Sequence, residues 1–229
     1  YGADLIFDLP VKSRIMTPVS VATVNSLFRI VTTLVLLPFI GVLEQIVTGF
    51  IKESEAERNV NAEFDRLDER FLEHPALAIE QCRLTINSMA RTSRDNICSA
   101  MTLLFSYDEE QAKEIERTED LVDRYEDKLG TYLMKLTRAE LSRGDSESAA
   151  KYLHTLSDFE RISDHAMTVC EAAHEIHEKK IRFSPEGERE LLVLSGAVNE
   201  ILELSVTAFI DEDINRAYRV EPLEERIDV

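Results

Sequence analysis

The stretch that decides the fold is Leu156-Ser-Asp-Phe-Glu-Arg-Ile-Ser-Asp-His-Ala-Met-Thr-Val-Cys-Glu-Ala-Ala-His-Glu-Ile176. Its apolar residues recur three and four positions apart: Leu156, Phe159, Ile162, Ala166, Val169, Ala173 and Ile176. This spacing places them on one face of an α-helix. No segment of the sequence shows the two-residue alternation of strands. The stretch therefore predicts a long amphipathic helix in an all-α protein.

Upstream, the same spacing predicts another long helix. Its apolar positions are Cys82, Ile86, Met89, Ile97, Ala100, Met101 and Leu104. The small polar residue Ser93 fills the one step between Met89 and Ile97. This stripe predicts a helix that packs against its neighbours along its whole length.

Capping signals predict where the next two helices begin and end. Asp108 is an N-cap followed by acidic residues, and the helix it starts is predicted to run to Arg143, with Gly144 as its stop. The third helix is then predicted to begin after 145–146 and to end before Lys179.

Two further helices follow. Ser184-Pro185 predicts the start of a fourth helix that ends near Ile210, and 212–213 predicts the start of a fifth. Long helices with short connections favour an antiparallel bundle.

An internal repeat appears when the chain is offset by 105 residues. Residues 105–123 then align with residues 210–228 without a gap. The matched pairs keep their apolar or acidic character: Ala112 with Ala217, Ile115 with Val220, Glu116 with Glu221, Glu119 with Glu224, and Asp123 with Asp228. Repeats of this length indicate a duplicated supersecondary unit, here a three-helix bundle whose second copy is truncated. The alternative is coincidence between two acidic amphipathic helices.

Charge and cysteine content exclude several classes of protein. The chain has 44 acidic and 26 basic residues and a formal net charge of -18, which disfavours nucleic acid as a partner. Its three cysteines lie far apart within apolar patterns, so we expect reduced thiols rather than disulfides or a metal knuckle.

The segment from Val19 to Leu43 differs from the rest of the chain. It has 25 residues, Arg29 is its only charge, and about 20 apolar residues are enough to cross a bilayer. We therefore predict a membrane helix, with a buried helix of a large soluble protein as the alternative. The chain lacks an initiator Met, and we expect it to be part of a longer protein.

Two ExxxD motifs are the candidate functional site. Glu119–Asp123 lies on the second predicted helix and Glu160–Asp164 on the third, and four residues return a helix to nearly the same face. If the two helices are antiparallel neighbours, four carboxylates could meet, and a hard cation such as Mg, Ca, Mn or ferric iron would relieve their repulsion. Glu224–Asp228 would be the matching pair of the second repeat. The alternative is that these acidic pairs simply face solvent.

No catalytic centre is evident, and we expect that the protein is not an enzyme. Glu171-Ala-Ala-His174 is half of a ferritin-like di-iron motif, but the second ExxH is missing. We expect His174 and His177 to lie on the polar surface at a helix end.

Asp158-Phe-Glu-Arg-Ile-Ser-Asp-His165 resembles the signature of PhoU proteins. The resemblance implies a pair of three-helix bundles and, as in some members, multinuclear metal bound by the ExxxD motifs. The implied metal is Fe, Mg, Mn or Zn, and the implied ligands are Glu119, Asp123, Glu160, Asp164, Glu224 and Asp228.

Residues 16–39 resemble the last membrane helix of bacterial Na/Pi-cotransporter proteins, in which a PhoU-like domain follows directly. Residues 71–80 resemble the junction in those proteins. The sequence departs from their pattern at Asn25 and Arg29, where His and Asn are more usual. The predicted domains are the membrane segment, a linker, the first PhoU-like bundle and the start of the second: 1–51, 52–75, 76–184 and 185–229.

These resemblances imply part of a sodium-dependent phosphate symporter with a regulatory cytosolic domain. The expected location is the bacterial plasma membrane, and the expected partners are lipid and, through a region upstream, sodium and phosphate. We keep open a homodimer. The alternative function is a metal-binding PhoU-like regulator or adaptor that is not itself a transporter.

Overall fold

The computed structural model describes residues 25–33 and 61–227. The chain divides into two compact units, Tyr1–Arg58 and Asn59–Val229, and each is described by itself. In the first unit, residues 25–33 are helical and their large apolar side chains are exposed: Leu27, Phe28, Ile30 and Val31. The rest of the predicted membrane helix over 19–43 lies outside the described residues.

The second unit is built from helices, and its described residues contain no strand. We number the helices from the first long one: α1 (Pro75–Leu103), α2 (Glu109–Leu136), α3 (Arg143–Glu178), α4 (Pro185–Asp211), α5 (Ile214–Ala217) and α6 (Val220–Ile227). A 3₁₀ helix, Glu69–Glu73, precedes them. Helices α1, α2 and α3 each pack against the other two. The prediction of an all-α protein with an antiparallel bundle is confirmed.

Polar side chains fix where the helices begin, because they accept hydrogen bonds from backbone N–H groups that have no partner within the helix. Asp108 caps α2 by accepting from the Gln111 N–H at 2.8 Å. Ser184 caps α4 by accepting from the Gly187 N–H at 3.0 Å, and Asp213 caps α5. These three predicted starts are correct.

The predicted boundary between the second and third helices is wrong. Helix α2 ends at Leu136 rather than at Arg143, and α3 already begins at Arg143. Its N-cap is Ser142, whose hydroxyl accepts from the Asp145 N–H at 3.1 Å. Gly144 consequently lies in the first turn of α3 and stops no helix.

The predicted fifth helix is broken into α5 and α6. Pro222 lies in the first turn of α6, where a proline is tolerated. Within a longer helix its ring would clash with the backbone carbonyl four residues earlier, that of Tyr218. Tyr218 is the C-cap of α5. The break at Tyr218 and Arg219 follows from this proline.

The core of the bundle lies between α1, α2 and α3. The predicted stripe on α1 is buried from Cys82 to Met101, including the polar Ser93, and only Leu104 is partly exposed. Val122, Leu129 and Leu133 are fully buried on α2, and Leu156 is buried on α3.

The second half of the predicted linker packs on this core. Its apolar side chains Phe64, Leu67, Phe71 and Leu72 contact the buried cluster. Tyr125 of α2 donates a hydrogen bond to Glu63 at 2.6 Å, and Tyr132 donates to the backbone oxygen of Asp68 at 3.0 Å.

Helix α4 packs on the bundle through its C-terminal half, where Val206 and Ala208 are buried. Its N-terminal half leaves three consecutive apolar side chains exposed: Leu192, Val193 and Leu194. Among the described helices, α4 is long and apolar enough to cross a membrane, a property that core helices of soluble proteins share.

The three cysteines are free thiols, as predicted. Cys82 and Cys170 are buried, and burial raises the pKa of Cys82 to about 12. Cys98 is half-buried on α1, near Arg94, which forms an ion pair with Glu203 of α4 at 2.7 Å.

Candidate metal centre

The structure brings together carboxylates from α2 and α3 on the outer face of the bundle. One oxygen each from Glu119, Asp123 and Asp164 lies within 4.8 Å of the other two. Glu160 is next to them, within hydrogen-bonding reach of Asp164. All four residues of the two predicted motifs are therefore neighbours across one helix pair.

The pKa values in this acidic cluster (Glu119, Asp123, Glu160 and Asp164) show that its negative charges repel one another. Partial burial raises the pKa of Glu119, and the negative charges of Asp123 and Asp164 raise it further. Burial and then the charge of Asp164 raise the pKa values of Asp123 and Glu160 in the same way. A raised pKa means that the folded protein disfavours the ionised carboxylate at this place.

No basic side chain compensates this charge within residues 61–227. The ion pairs of α2 involve other acidic residues, such as Glu109 with Lys113 and Glu114 with Arg117. The cluster is thus a set of oxygen donors without a protein cation, and a bound metal ion would supply the missing positive charge.

A buried hydrogen-bond network fixes the register of α2 and α3 behind the cluster. The side-chain amide of Asn96, on α1, donates to the backbone oxygen of Ile115 at 3.2 Å and to the Ser163 hydroxyl at 3.0 Å. Ile115 lies one turn before Glu119, and Ser163 directly precedes Asp164. Asn96 and Ser163 are 3% and 1% exposed, so this network ties all three helices together in the core.

Asn96 and Glu126 belong to the site but are not among the residues predicted from the sequence. Asn96 could have been noticed as an amide within an apolar stripe. Glu126 is one turn beyond Asp123, accepts a hydrogen bond from Ser157 at 3.3 Å, and raises the pKa of Glu160 through its charge. It extends the acidic surface along the α2–α3 groove.

The pair predicted for the second repeat is not assembled in the described residues. Glu224 lies exposed on α6, and Asp228 lies outside the described residues. No acidic group within residues 61–227 joins Glu224 in a metal-binding arrangement. Its role stays a prediction.

The histidines at the end of α3 are exposed, as expected, but they are not isolated. The Tyr107 hydroxyl is 2.9 Å from Nδ1 of His174, and the Tyr107 ring stacks on His177 with centroids 4.7 Å apart. These contacts attach the α1–α2 loop to the end of α3.

The comparison with known families covers the centre of this bundle. Residues 86–173 match the PhoU domain. The matched region runs from Ile86 in α1 to Ala173 in α3 and includes the whole acidic cluster. PhoU domains occur in proteins associated with phosphate transport, which act as regulators or adaptors rather than as enzymes. The bundle therefore has a role linked to phosphate transport or its regulation. No curated protein and no solved structure gave a match.

Proposed function

We propose that this chain is part of a sodium-dependent phosphate symporter and that its PhoU-like bundle regulates phosphate uptake from the cytosolic side of the membrane. The observation that carries the proposal is the order of the sequence. An apolar segment of spanning length, residues 19–43, precedes the region that matches the PhoU domain. A regulatory domain attached directly to a membrane helix acts on that membrane protein at a high effective concentration.

Two measurements test this proposal. Cells that express the intact protein should take up radiolabelled phosphate when sodium is present and should lose that uptake when choline replaces sodium. The chain itself should resist extraction from membranes by alkaline carbonate. Uptake that is indifferent to sodium would reject the symporter.

The second candidate function is a PhoU-like regulator or adaptor of phosphate transport that is not itself a transporter. It is favoured because the PhoU match and the acidic cluster both lie in the bundle. Fractionation separates the two candidates, because a peripheral adaptor leaves the membrane in high salt whereas a protein with a spanning helix stays.

In either case the acidic cluster is proposed to bind a metal ion between α2 and α3. Glu119, Asp123 and Asp164 would hold it, with Glu160 beside them. An all-oxygen donor set fits Mg, Mn or ferric iron better than Zn, which usually takes His or Cys as well. The ion would neutralise the cluster and join the two helices.

Metal analysis tests this site. The chain, purified without chelator, should carry stoichiometric metal, and the double variant Glu119→Gln/Asp164→Asn should lose it. The matched control Glu186→Gln/Glu190→Gln removes two exposed carboxylates on α4 and should leave the metal content unchanged. Equal metal content in all three proteins would reject the assignment.

A further inference from the structure

The loop that joins α3 to α4 has a charge opposite to that of the chain. Lys179, Lys180 and Arg182 are three cations within four residues, and no acidic residue lies between Glu178 and Glu186. The chain as a whole carries a net charge of -18. No other four-residue stretch of the sequence contains three cations.

The backbone of this loop is fixed rather than free. The N–H of Ile181 donates to the Ile176 oxygen at 3.0 Å and the N–H of Lys180 donates to the His177 oxygen at 3.1 Å, which is the Schellman arrangement at the end of a helix. Lys180 consequently has φ 52°, in the left-handed region that favours glycine. A lysine at this position costs stability that a glycine would not, so its presence points to a role for the charge.

Apolar side chains accompany these cations. Ile181 and Phe183 alternate with Lys180 and Arg182, and they are 48% and 42% exposed. Phe105, from the α1–α2 loop, is 39% exposed and lines the same open cavity of about 550 Å³. Both loops therefore contribute to one surface at this end of the bundle, which we call the basic–aromatic end (Phe105 and residues 180–183).

The cations of this surface are available. Lys179 pairs with Glu175, but neither Lys180 nor Arg182 forms an ion pair within the described part of the chain. The acidic residues near this surface include Glu178, which ends α3, and two residues at helix starts. Glu188, in the first turn of α4, lines the cavity, and Asp108 caps α2. Both are near the positive ends of helix dipoles, which offset their charge.

We propose that the basic–aromatic end binds an anionic lipid surface. Its charge is complementary to such a surface, whereas the rest of this acidic chain is repelled by it. Lysine and arginine alternating with aliphatic and aromatic side chains is the composition of interfacial membrane-binding segments, because the cations attract the headgroups while the apolar groups insert between them. A purely acidic polypeptide would pair with the cations but would leave exposed the three apolar side chains of the same surface.

A tryptophan reporter tests the proposal, since the chain contains no Trp. The full-length variant Phe183→Trp is added to, or reconstituted into, phosphatidylcholine vesicles with brominated acyl chains, with or without phosphatidylglycerol. Bromine quenches the indole only when it reaches the bilayer. We expect quenching in vesicles that contain phosphatidylglycerol and little in neutral vesicles.

Removal of the charge gives the decisive comparison. Lys180→Gly with Arg182→Gln removes two cations, and the glycine suits the left-handed backbone, so the fold is retained. We expect the lipid partition coefficient to fall about 25-fold, since each cation near an anionic surface contributes about fivefold. The control Lys128→Gln/Arg138→Gln removes two exposed cations of the α2 region and should leave the quenching unchanged.

Three outcomes would overturn the proposal: no quenching in anionic vesicles, equal quenching in neutral ones, or a shift of the indole emission with polyglutamate but not with vesicles, which would indicate an acidic protein partner. The result is separable from the symporter proposal. A chain that resists carbonate extraction but shows no quenching rejects only the lipid docking. Salt-reversible quenching of an extractable chain supports the docking and rejects the membrane-spanning segment.

Discussion

Helices α1–α3 and helices α4–α6 are the two predicted copies of one repeat, and they bury their apolar surfaces to very different extents. Met89 of α1 is fully buried, whereas the residue 105 positions later, Leu194 of α4, is 47% exposed. In the first copy α2 and α3 both cover α1. In the second copy, among the described residues, α5 and α6 pack on α4, which also contacts α1 of the first copy. The difference shows that an apolar stripe is buried where long helices pack along it, since α5 and α6 have only 4 and 8 residues.

The second helix of each copy starts in the same way. Asp108 caps α2, and Asp213, at the equivalent position, caps α5 through the N–H groups of Asn215 and Arg216. Gln111, whose N–H is capped in the first copy, is the equivalent of Arg216. Local capping is therefore preserved even where tertiary packing is not, because a cap needs only three or four consecutive residues.

The largest expected effect is in the core of the first copy. Met89→Ala should lower the free energy of unfolding by about 2–5 kcal/mol, because it removes a fully buried side chain and leaves a cavity. Leu194→Ala, at the equivalent exposed position, should cost about 0.5 kcal/mol or less. Urea unfolding followed by circular dichroism measures both. Equal losses would mean that α4 is covered as α1 is.

The next effect concerns the hydrogen-bond network behind the acidic cluster. Asn96→Ala should cost about 1–3 kcal/mol, because it leaves the buried Ser163 hydroxyl without its partner on α1. The control is Ser205→Ala on α4, where the hydroxyl bonds only within its own helix and little stability should be lost. Losses of the same size in the two variants would show that the network does not hold the three helices together.

A smaller effect is expected from pH in metal-free protein. The folded-state pKa values of Glu119, Asp123 and Glu160 are raised, so the folded state binds protons more readily than the unfolded state. Stability should therefore increase as the pH falls from 7 towards about 4 and should be lost again as the pH rises through the raised pKa values.

Solvent screening limits this gain to about 1 kcal/mol, and Glu119→Gln/Asp123→Asn should remove most of it. Glu224→Gln, at the equivalent position of the second copy, should leave the pH profile as it is. A wild-type profile that falls from pH 7 to about 5 would contradict the repulsion inferred for the cluster.

The smallest effect is expected at the break between α5 and α6. Pro222→Ala restores a backbone N–H and removes the ring, so residues 214–227 should join into one helix, as at the equivalent Arg117 of α2. The gain should be about 0.5 kcal/mol, and the amides of Val220 and Glu221, which open α6, should become protected from hydrogen exchange. Pro185→Ala, in the first turn of α4, should extend no helix. If Val220 and Glu221 stay unprotected in Pro222→Ala, tertiary packing rather than proline breaks the helix.

The sequence predicted those parts of the fold that depend on nearby residues. The stripe on α1 and the caps Asp108, Ser184 and Asp213 were correct because spacing and capping act within a few positions. The predicted end of α2 at Gly144 is wrong because Ser142 supplies the cap that starts α3, and no positive-φ glycine occurs within the described residues.

The acidic cluster was predicted only in part. The i, i+4 spacing identifies Glu119–Asp123 and Glu160–Asp164 as pairs, but their meeting depends on the register of α2 against α3. That register is held by Asn96 on a third helix, whose partners are 19 and 67 residues away in the sequence. No local pattern carries this register; the sequence shows Asn96 only as an amide within an apolar stripe.

The half-buried thiol of Cys98 makes the contact between α1 and α4 directly measurable. Cys82 and Cys170 are sheltered inside the bundle, so a maleimide reagent should modify Cys98 first. Because Cys98 lies near the Arg94–Glu203 ion pair, we expect its alkylation to become faster when α4 moves away from α1. The alkylation rate of Cys98 in the unmodified chain should therefore report how the second copy of the repeat moves relative to the first.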